Sequence, residues 1–306
     1  MSSVRVENIK KTYEKGQVLA LDNVSFEVKS GELFGLIGPD GAGKTSLFRI
    51  LTTLLLPNGG QAQVAGLDVV KDFWEIRRIV GYMPGKFSLY QDLSIEENLH
   101  FFATVFNTTL EKNYHLIEDI YVQIEPFKKR LAGKLSGGMK QKLALCCALI
   151  HEPKVLFLDE PTTGVDPVSR KEFWDMLGRL KARGITIVVS TPYMDEASRC
   201  DRIALIQKGK ILELDTLEKI VARHAQHLYS VDADNRYQLM HDLRLPAEIT
   251  SSFAFGEVQH VTLSHAELGE QYLKNYLIAR GHSGIEVKKI APTIEDTFIK
   301  LMLENQ

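Results

Sequence analysis

The chain has 306 residues, enough for two domains of ordinary size and a sizeable buried core. Its 44% apolar and 25% charged residues are the composition of a folded globular protein and exclude bulk disorder. A formal net charge of -2 excludes the global excess of Lys and Arg that marks chains drawn to nucleic acid or anionic membranes.

The three cysteines, Cys146, Cys147 and Cys200, are odd in number and lack metal-ligand spacing, which suits core positions in a reducing compartment. No apolar run approaches the roughly 20 residues needed to span a bilayer. The run LALCCALI stops at Ile150, and the N-terminus MSSVRVENIKK has no apolar signal region. Any membrane role is expected to pass through a partner.

From residue 1 to about 220, short β-branched runs alternate with amphipathic stretches, the pattern of an α/β domain with a largely parallel sheet. The first strong signal is LFGLIGPDGAGKTS, an apolar strand, a glycine-rich turn and a helix start that match G-x-x-x-x-G-K-[ST] from Gly38 to Thr45. Gly41 and Gly43 let the backbone curl so that successive N–H groups face phosphate oxygens, and the helix that follows adds its positive end. Lys44 is expected to neutralise the β- and γ-phosphates and the Thr45 hydroxyl to ligate Mg²⁺. Pro39, Asp40, Ala42 and Ser46 complete the expected nucleotide contacts.

Residues 92–150 read as a helical subdomain inserted in the α/β core, opened by Ser94 and Glu97 at capping-box spacing. Within it, LSGGMKQKLALCCALI places Ser136, Gly137 and Gly138 before a helix expected to be strongly amphipathic, a second exposed helix N-terminus able to hold an anion. One nucleotide does not need two such sites from one chain. In KVLFLDEP, an apolar strand ends in two carboxylates, which should face the nucleotide beyond the carboxyl edge of the sheet. Asp159 suits Mg²⁺ ligation, and Glu160 suits a base that orients the attacking water.

After DTLEKIVARHAQH the composition turns polar and a second unit begins, in the order β-α-β-β-α-β of a ferredoxin-like split unit. A closing helix, TIEDTFIKLML, starts with Thr293 and Asp296 in capping-box positions. No catalytic constellation stands out there.

Together, GPDGAGKT, LSGGM, VLFLDE and the GVDP loop at Gly164 to Pro167 resemble the nucleotide-binding subunit of an ATP-binding cassette (ABC) transporter, over roughly Val4 to Ile220. The resemblance implies a P-loop NTPase core of ABC type in residues 1–220, with an accessory α+β domain in 221–306. ATP and Mg²⁺ would be the ligands, and ATP hydrolysis coupled to transport the activity. In this family two subunits face each other head to tail, and the signature of one closes over the ATP held by the other's P-loop. That would explain two phosphate sites in one chain. Tyr13 sits where the family places an aromatic that stacks on adenine. The C-terminal unit resembles the small domain appended to subunits that serve drug and polysaccharide exporters.

The implied partners are integral membrane subunits and a second ATP-binding subunit, with no nucleic acid. The implied location is the inner face of the cell membrane, reached from the cytoplasm through those subunits, and residues 83 to 110 would receive a short helix of the membrane chain. The competing function class is a soluble ATP-gated regulator acting on nucleic acid or ribosomes. Such relatives carry two cores in one chain, or long coiled-coil or basic inserts, and this sequence has neither.

Two positions depart from the family pattern. After GYMP the family has glutamine, which senses Mg²⁺ and the attacking water; here it is Gly85, and Gln91 does not fit the register. At the end of TIVVST the family has histidine, which bridges the γ-phosphate and the base; here it is Pro192. Proline has neither a side-chain donor nor a backbone N–H, so it cannot stabilise a transferring phosphoryl group. Loss of such a group costs roughly 10² to 10⁴ in rate, so binding should survive better than turnover. A heterodimer is favoured, with the homodimer as alternative, because Ser136, Gly137 and Gly138 would still complete a partner's site.

Overall fold

A computed structural model of the chain describes residues 2–224, 227–265 and 267–304. Its contacts divide it into two compact units, 1–217 and 218–306.

The first unit opens with two long antiparallel strands, β1 (Ser2–Tyr13) and β2 (Val18–Lys29). Alternation buries Val4 and Val6 on one face; a left-handed residue, Asn8 at φ 52°, then shifts the register so that Ile9 is buried too. There follow β3 (Leu33–Ile37), α1 (Lys44–Leu51), β4 (Gly59–Val64) and β5 (Leu67–Asp68). β2, β1, β4 and β5 form an antiparallel sheet in that order, which the expectation of a largely parallel domain does not include. Its defining pairing, Val4 with Val64, joins segments far apart in the chain, and the bulge interrupts the alternation that would reveal it.

Next come α2 (Phe73–Ile79), β6 (Val80–Met83), α3 (Ile95–Val105), α4 (Leu110–Tyr121), α5 (Gly137–Leu149) and β7 (Val155–Asp159). They are followed by α6 (Pro167–Ala182), β8 (Thr186–Thr191), β9 (Arg202–Gln207) and β10 (Lys210–Asp215). The second sheet has the order β10-β9-β3-β8-β7-β6, parallel throughout except for β10 at the edge. Every residue of β3 and β7 is buried, as expected of strands covered on both faces. Phe48 of α1 meets Phe157 of β7 edge to face at 5.6 Å, fixing the helix after the glycine turn on the sheet. Burial of each such side chain contributes about 1.5–3 kcal/mol.

The helical insertion runs between β6 and β7, which pair with each other, so it leaves and re-enters the same edge of the sheet. Ser94 Oγ accepts from Glu97 N at 3.2 Å and Glu97 Oε2 from Ser94 N at 2.7 Å, the reciprocal pair expected at the start of α3. α5 corrects one expectation: it is not amphipathic, because it is packed by α3, α4, α6 and β6 and its half from Leu145 onward is buried all round. Cys146 and Cys147 lie in that half, where burial pushes both thiols up and leaves them unreactive.

A short helix, α7 (Leu217–Arg223), begins at the division between the units. The second unit then runs β11 (His227–Asp232), α8 (Arg236–Asp242), β12 (Ile249–Phe255), β13 (Val258–Leu263), α9 (Gly269–Ala279), β14 (Glu286–Lys289) and α10 (Ile294–Glu304). Its antiparallel sheet has the order β12-β13-β11-β14, the ferredoxin-like arrangement. Val231, Val261, Leu239, Leu273 and Leu277 form its core between sheet and helices. At α10, Asp296 Oδ2 accepts from Thr293 N at 2.8 Å and Thr293 Oγ1 from Asp296 N at 3.3 Å, closing the second expected capping box.

Candidate functional site

Four neighbouring parallel strands, β3, β8, β7 and β6, end on the same edge of the sheet. From those ends come the glycine-rich turn, the pair Thr191-Pro192, the pair Asp159-Glu160 and the pair Pro84-Gly85. The carboxyl edge of an open parallel sheet is where ligands bind.

The turn after β3 is glycine-rich for two separate reasons. Gly41 and Gly43 stand at φ 77° and 105°, where other residues are strained. Gly38 and Gly43 are also pressed against neighbouring backbone: an added Cβ would lie 2.0 Å from the Ile206 carbonyl oxygen at the first and 2.4 Å from that of Ala20 at the second. The turn is thereby clamped between β9 and the start of β2, and α1 leaves it at Lys44.

Lys44 is 3% exposed. Its Nζ donates to the carbonyls of Gly38 at 2.8 Å and Pro39 at 3.0 Å and pairs with Glu160 Oε1 at 3.1 Å. The ammonium therefore spans the end of β8, from the turn after β3 to the acid after β7. Glu160 has φ 50°, and its N–H is shared between the Ser190 carbonyl at 3.0 Å and Ser190 Oγ at 3.1 Å. Asp159 is 2% exposed, and its Oδ1 accepts from Ser190 Oγ at 2.6 Å.

Among the described residues, no Lys, Arg or His lies within ion-pair distance of the Asp159 carboxylate. A buried carboxylate without a cation, with the Thr45 hydroxyl in the first turn of α1, offers hard oxygen donors but no complete cage. That suits Mg²⁺, which keeps several waters and takes one or two protein oxygens together with substrate phosphates.

Tyr13 closes another side: its hydroxyl is 3.0 Å from Ser46 Oγ, and Lys11 Nζ stands 5.5 Å from its ring centroid. Gly85 passes so close to the end of β7 that an added Cβ would lie 3.1 Å from the Asp159 carbonyl oxygen. Gln91 is remote from this role, its carbonyl accepting from Gly133 N at 2.9 Å inside the helical insertion. Pro192 is half-buried, and the next side chain, Tyr193, lies with its ring 4.5 Å from the Arg170 guanidinium of α6. Tyr193 is thus held toward α6.

Two residues of this neighbourhood escape sequence reasoning, Ser190 and Glu196. Glu196 is 3% exposed, and accepts from Thr162 Oγ1 at 2.8 Å and from Thr191 Oγ1 at 2.5 Å, with Arg170 Nη2 at 3.2 Å. It ties together the loop after β7, the end of β8 and the start of α6. In the stretch MDEA only its partners, Thr191 five residues before it and Thr162 and Arg170 from other segments, distinguish it from a solvated acid.

Ser136, Gly137 and Gly138 lie elsewhere. Ser136 caps α5, its Oγ accepting from Met139 N at 3.3 Å, and both Ser136 and Gly137 are exposed. From behind, the segment leans on α6 and the loop before it: an added Cβ at Gly138 would lie 2.8 Å from Ser169 Oγ, and one at Gly137 3.6 Å from the Gly164 carbonyl oxygen. Asp166 caps α6 by accepting from Ser169 N at 3.0 Å, which holds its carboxyl below the usual range. Among the described residues, no hydrogen bond joins Ser136, Gly137 or Gly138 to the turn after β3. The chain gathers the glycine turn, Tyr13, Asp159 and Glu160 and leaves the LSGGM segment outside.

The glycine turn, the buried lysine and the two acids on the edge of this sheet define a P-loop nucleotide-hydrolase core. Residues 21–163 match the family model described as ABC transporter. Relatives include the probable multidrug ABC transporter ATP-binding protein YbhF of Escherichia coli (strain K12), 39% identical over 280 residues, 90% of this chain and 48% of that protein. The doxorubicin resistance ATP-binding protein DrrA of Mycobacterium tuberculosis (strain CDC 1551 / Oshkosh) is 39% identical over 72% of this chain and 68% of its own length. The Nod factor export ATP-binding protein I of Rhizobium sp. (strain N33) is 33% identical over 98% of each chain. Among solved structures, an ATP-binding subunit of an ABC transporter matches with a TM-score of 0.65 and 27% identity, over 72% of this chain and 92% of that one. A dimeric ATP-binding cassette in a post-hydrolysis state, bound to ADP and Pi, matches with a TM-score of 0.64 and 26% identity, over 70% and 98%.

The chain belongs to the ABC transporter family. It spans about half the length of the YbhF proteins it matches. No helix among the described residues is long and apolar enough to cross a membrane.

Proposed function

We propose that this chain binds and hydrolyses ATP to drive an exporter whose membrane-spanning parts are separate chains. The observation that carries the reading is Lys44, buried between the P-loop carbonyls and Glu160. The names of the relatives, multidrug, doxorubicin resistance and Nod factor export, support the exporter class.

In this reading the P-loop N–H groups and the Lys44 ammonium hold the β- and γ-phosphates, and Tyr13 stacks on the adenine. Drawing Lys44 onto phosphate takes it from Glu160, whose freed carboxylate accepts a proton from the attacking water. Mg²⁺, held by Thr45 and Asp159, supplies positive charge to the phosphate oxygens when bound. Residues 1–220 form the ATP-binding domain and 221–306 an accessory domain.

Gly85 and Pro192 remove two polar groups from this chain's own site, so it holds ATP more than it turns it over. Ser136, Gly137 and Gly138, exposed and held from α6, complete the site of a second ATP-binding subunit that carries glutamine and histidine at those positions. The membrane subunit inserts a short helix into a groove of about 760 Å³ lined by Trp74, Met83, Phe102, Val105, Phe106 and His151. The chain then works at the inner face of the membrane, with no nucleic acid involved.

The purified chain is expected to bind MgATP and hydrolyse it near background. Robust steady-state hydrolysis by the single chain, lost on Glu160→Gln, would decide for a homodimer with a competent site.

A further inference from the structure

Ser190 stands at the centre of the strand-end row, on β8 between β3 and β7, and is fully buried. Its hydroxyl makes two contacts of different sense: Oγ donates to Asp159 Oδ1 at 2.6 Å and accepts from Glu160 N at 3.1 Å. The first contact satisfies one oxygen of a buried carboxylate and sets the plane in which the other is presented. The second helps hold Glu160 in a left-handed conformation, at φ 50°, which a residue with a Cβ adopts only under constraint. The Glu160 carboxylate is the one aimed at Lys44. One hydroxyl thus fixes both acids at the end of β7, and the parallel register that faces Asp159 with Ser190 delivers it there.

We infer that Ser190 is a positioning residue for the divalent cation: it orients the Asp159 carboxylate toward the metal and stabilises the backbone turn that aims Glu160. This rests on the proposed role of Asp159 as magnesium ligand. A hydroxyl contacting an exposed acid would add little. Here the acid is buried and lacks a cationic partner among the described residues, so the hydroxyl has no solvent to replace it. Partners that orient metal ligands in this way are worth 10- to 100-fold in metal affinity.

The test is a magnesium titration of ATP binding to the full chain, followed with a fluorescent ATP analogue and repeated in EDTA, for the parent, Ser190→Ala, Ser190→Cys, Asp159→Asn and the double variant Ser190→Ala with Asp159→Asn. Ser190→Ala is expected to raise the magnesium concentration at half-saturation about tenfold while metal-free affinity stays within twofold. Ser190→Cys, close in volume but a weak donor, should fall between. In the Asp159→Asn background Ser190→Ala should add nothing. Unchanged magnesium dependence in Ser190→Ala, with Asp159→Asn strongly impaired, overturns the role of Ser190 and leaves the metal reading standing. Unchanged magnesium dependence in Asp159→Asn removes the metal reading and this inference with it. A parallel loss of metal-free affinity, magnesium affinity and thermal stability marks Ser190 as merely structural.

Discussion

The P-loop region and the LSGGM segment are equally plain glycine-rich approaches to a helix, yet the fold treats them in opposite ways. Lys44 and Asp159 are 3% and 2% exposed, and their charges meet carbonyls, an acid and a hydroxyl of the same chain. Ser136 and Gly137 are exposed, and the segment is held from behind by α6, the loop before it and the packing of Leu135 and Met139. Polar groups that all come from the strand ends of one chain can be buried and satisfied in the folded monomer. A surface meant to finish another chain's site must leave its N–H groups free and take its rigidity from packing on the far side.

The largest effect should come from testing whether the buried P-loop side has all the polar groups it needs. Restoring two polar groups through Gly85→Gln with Pro192→His is expected to raise turnover roughly 100-fold, the lower end of what a positioned proton-transfer or charge-stabilising group supplies. The contribution should be unequal. A Cβ at position 85 meets the Asp159 carbonyl oxygen at 3.1 Å, so glutamine enters only if that backbone gives by a few tenths of an ångström, whereas Pro192 is half-buried at a strand end. Steady-state phosphate release from both single variants and the pair measures this. Robust turnover by the parent chain that none of the variants raises would mean that this site is already complete.

Lys44→Ala probes the other side of the comparison. Removing the ammonium should weaken MgATP binding at least tenfold, about 1.4 kcal/mol, in a calorimetric titration. Unchanged affinity would take the nucleotide away from this end of the sheet.

The P-loop, the acids after β7 and both capping boxes were legible because each is a local signal: glycines where φ is positive or backbone crowds in, an apolar run ending in charge, a hydroxyl three residues before an acid. The order of elements in the C-terminal unit was legible for the same reason. The antiparallel sheet of β1, β2, β4 and β5 was not, since the pairing of β1 with β4 that builds it spans tens of residues and a bulge at Asn8 hides the alternation of β1. Ser190 and Glu196 were hidden differently. Nothing within a few residues of either predicts the buried partner, which arrives through the register of β7 with β8 or through the meeting of three segments. α5 was misread because its surroundings, helices on several sides, are not written in its own periodicity.

The smallest effect sharpens the comparison most. Ser136→Ala removes the acceptor for Met139 N, a helix cap worth about 1 kcal/mol when lost, and less here because the freed N–H is exposed to water. Urea denaturation should therefore show a loss of about 0.5–1 kcal/mol. The same preparation should bind MgATP with affinity within twofold of the parent, since no hydrogen bond among the described residues runs from Ser136 to the P-loop. Mixed with a second ATP-binding subunit, the variant should slow hydrolysis at that subunit's site, where the Ser136 hydroxyl would meet phosphate. If instead the isolated variant lost ATP affinity in proportion to its lost stability, the segment would be acting on its own chain's P-loop. The contrast between a buried site and a surface lent to a partner would then collapse.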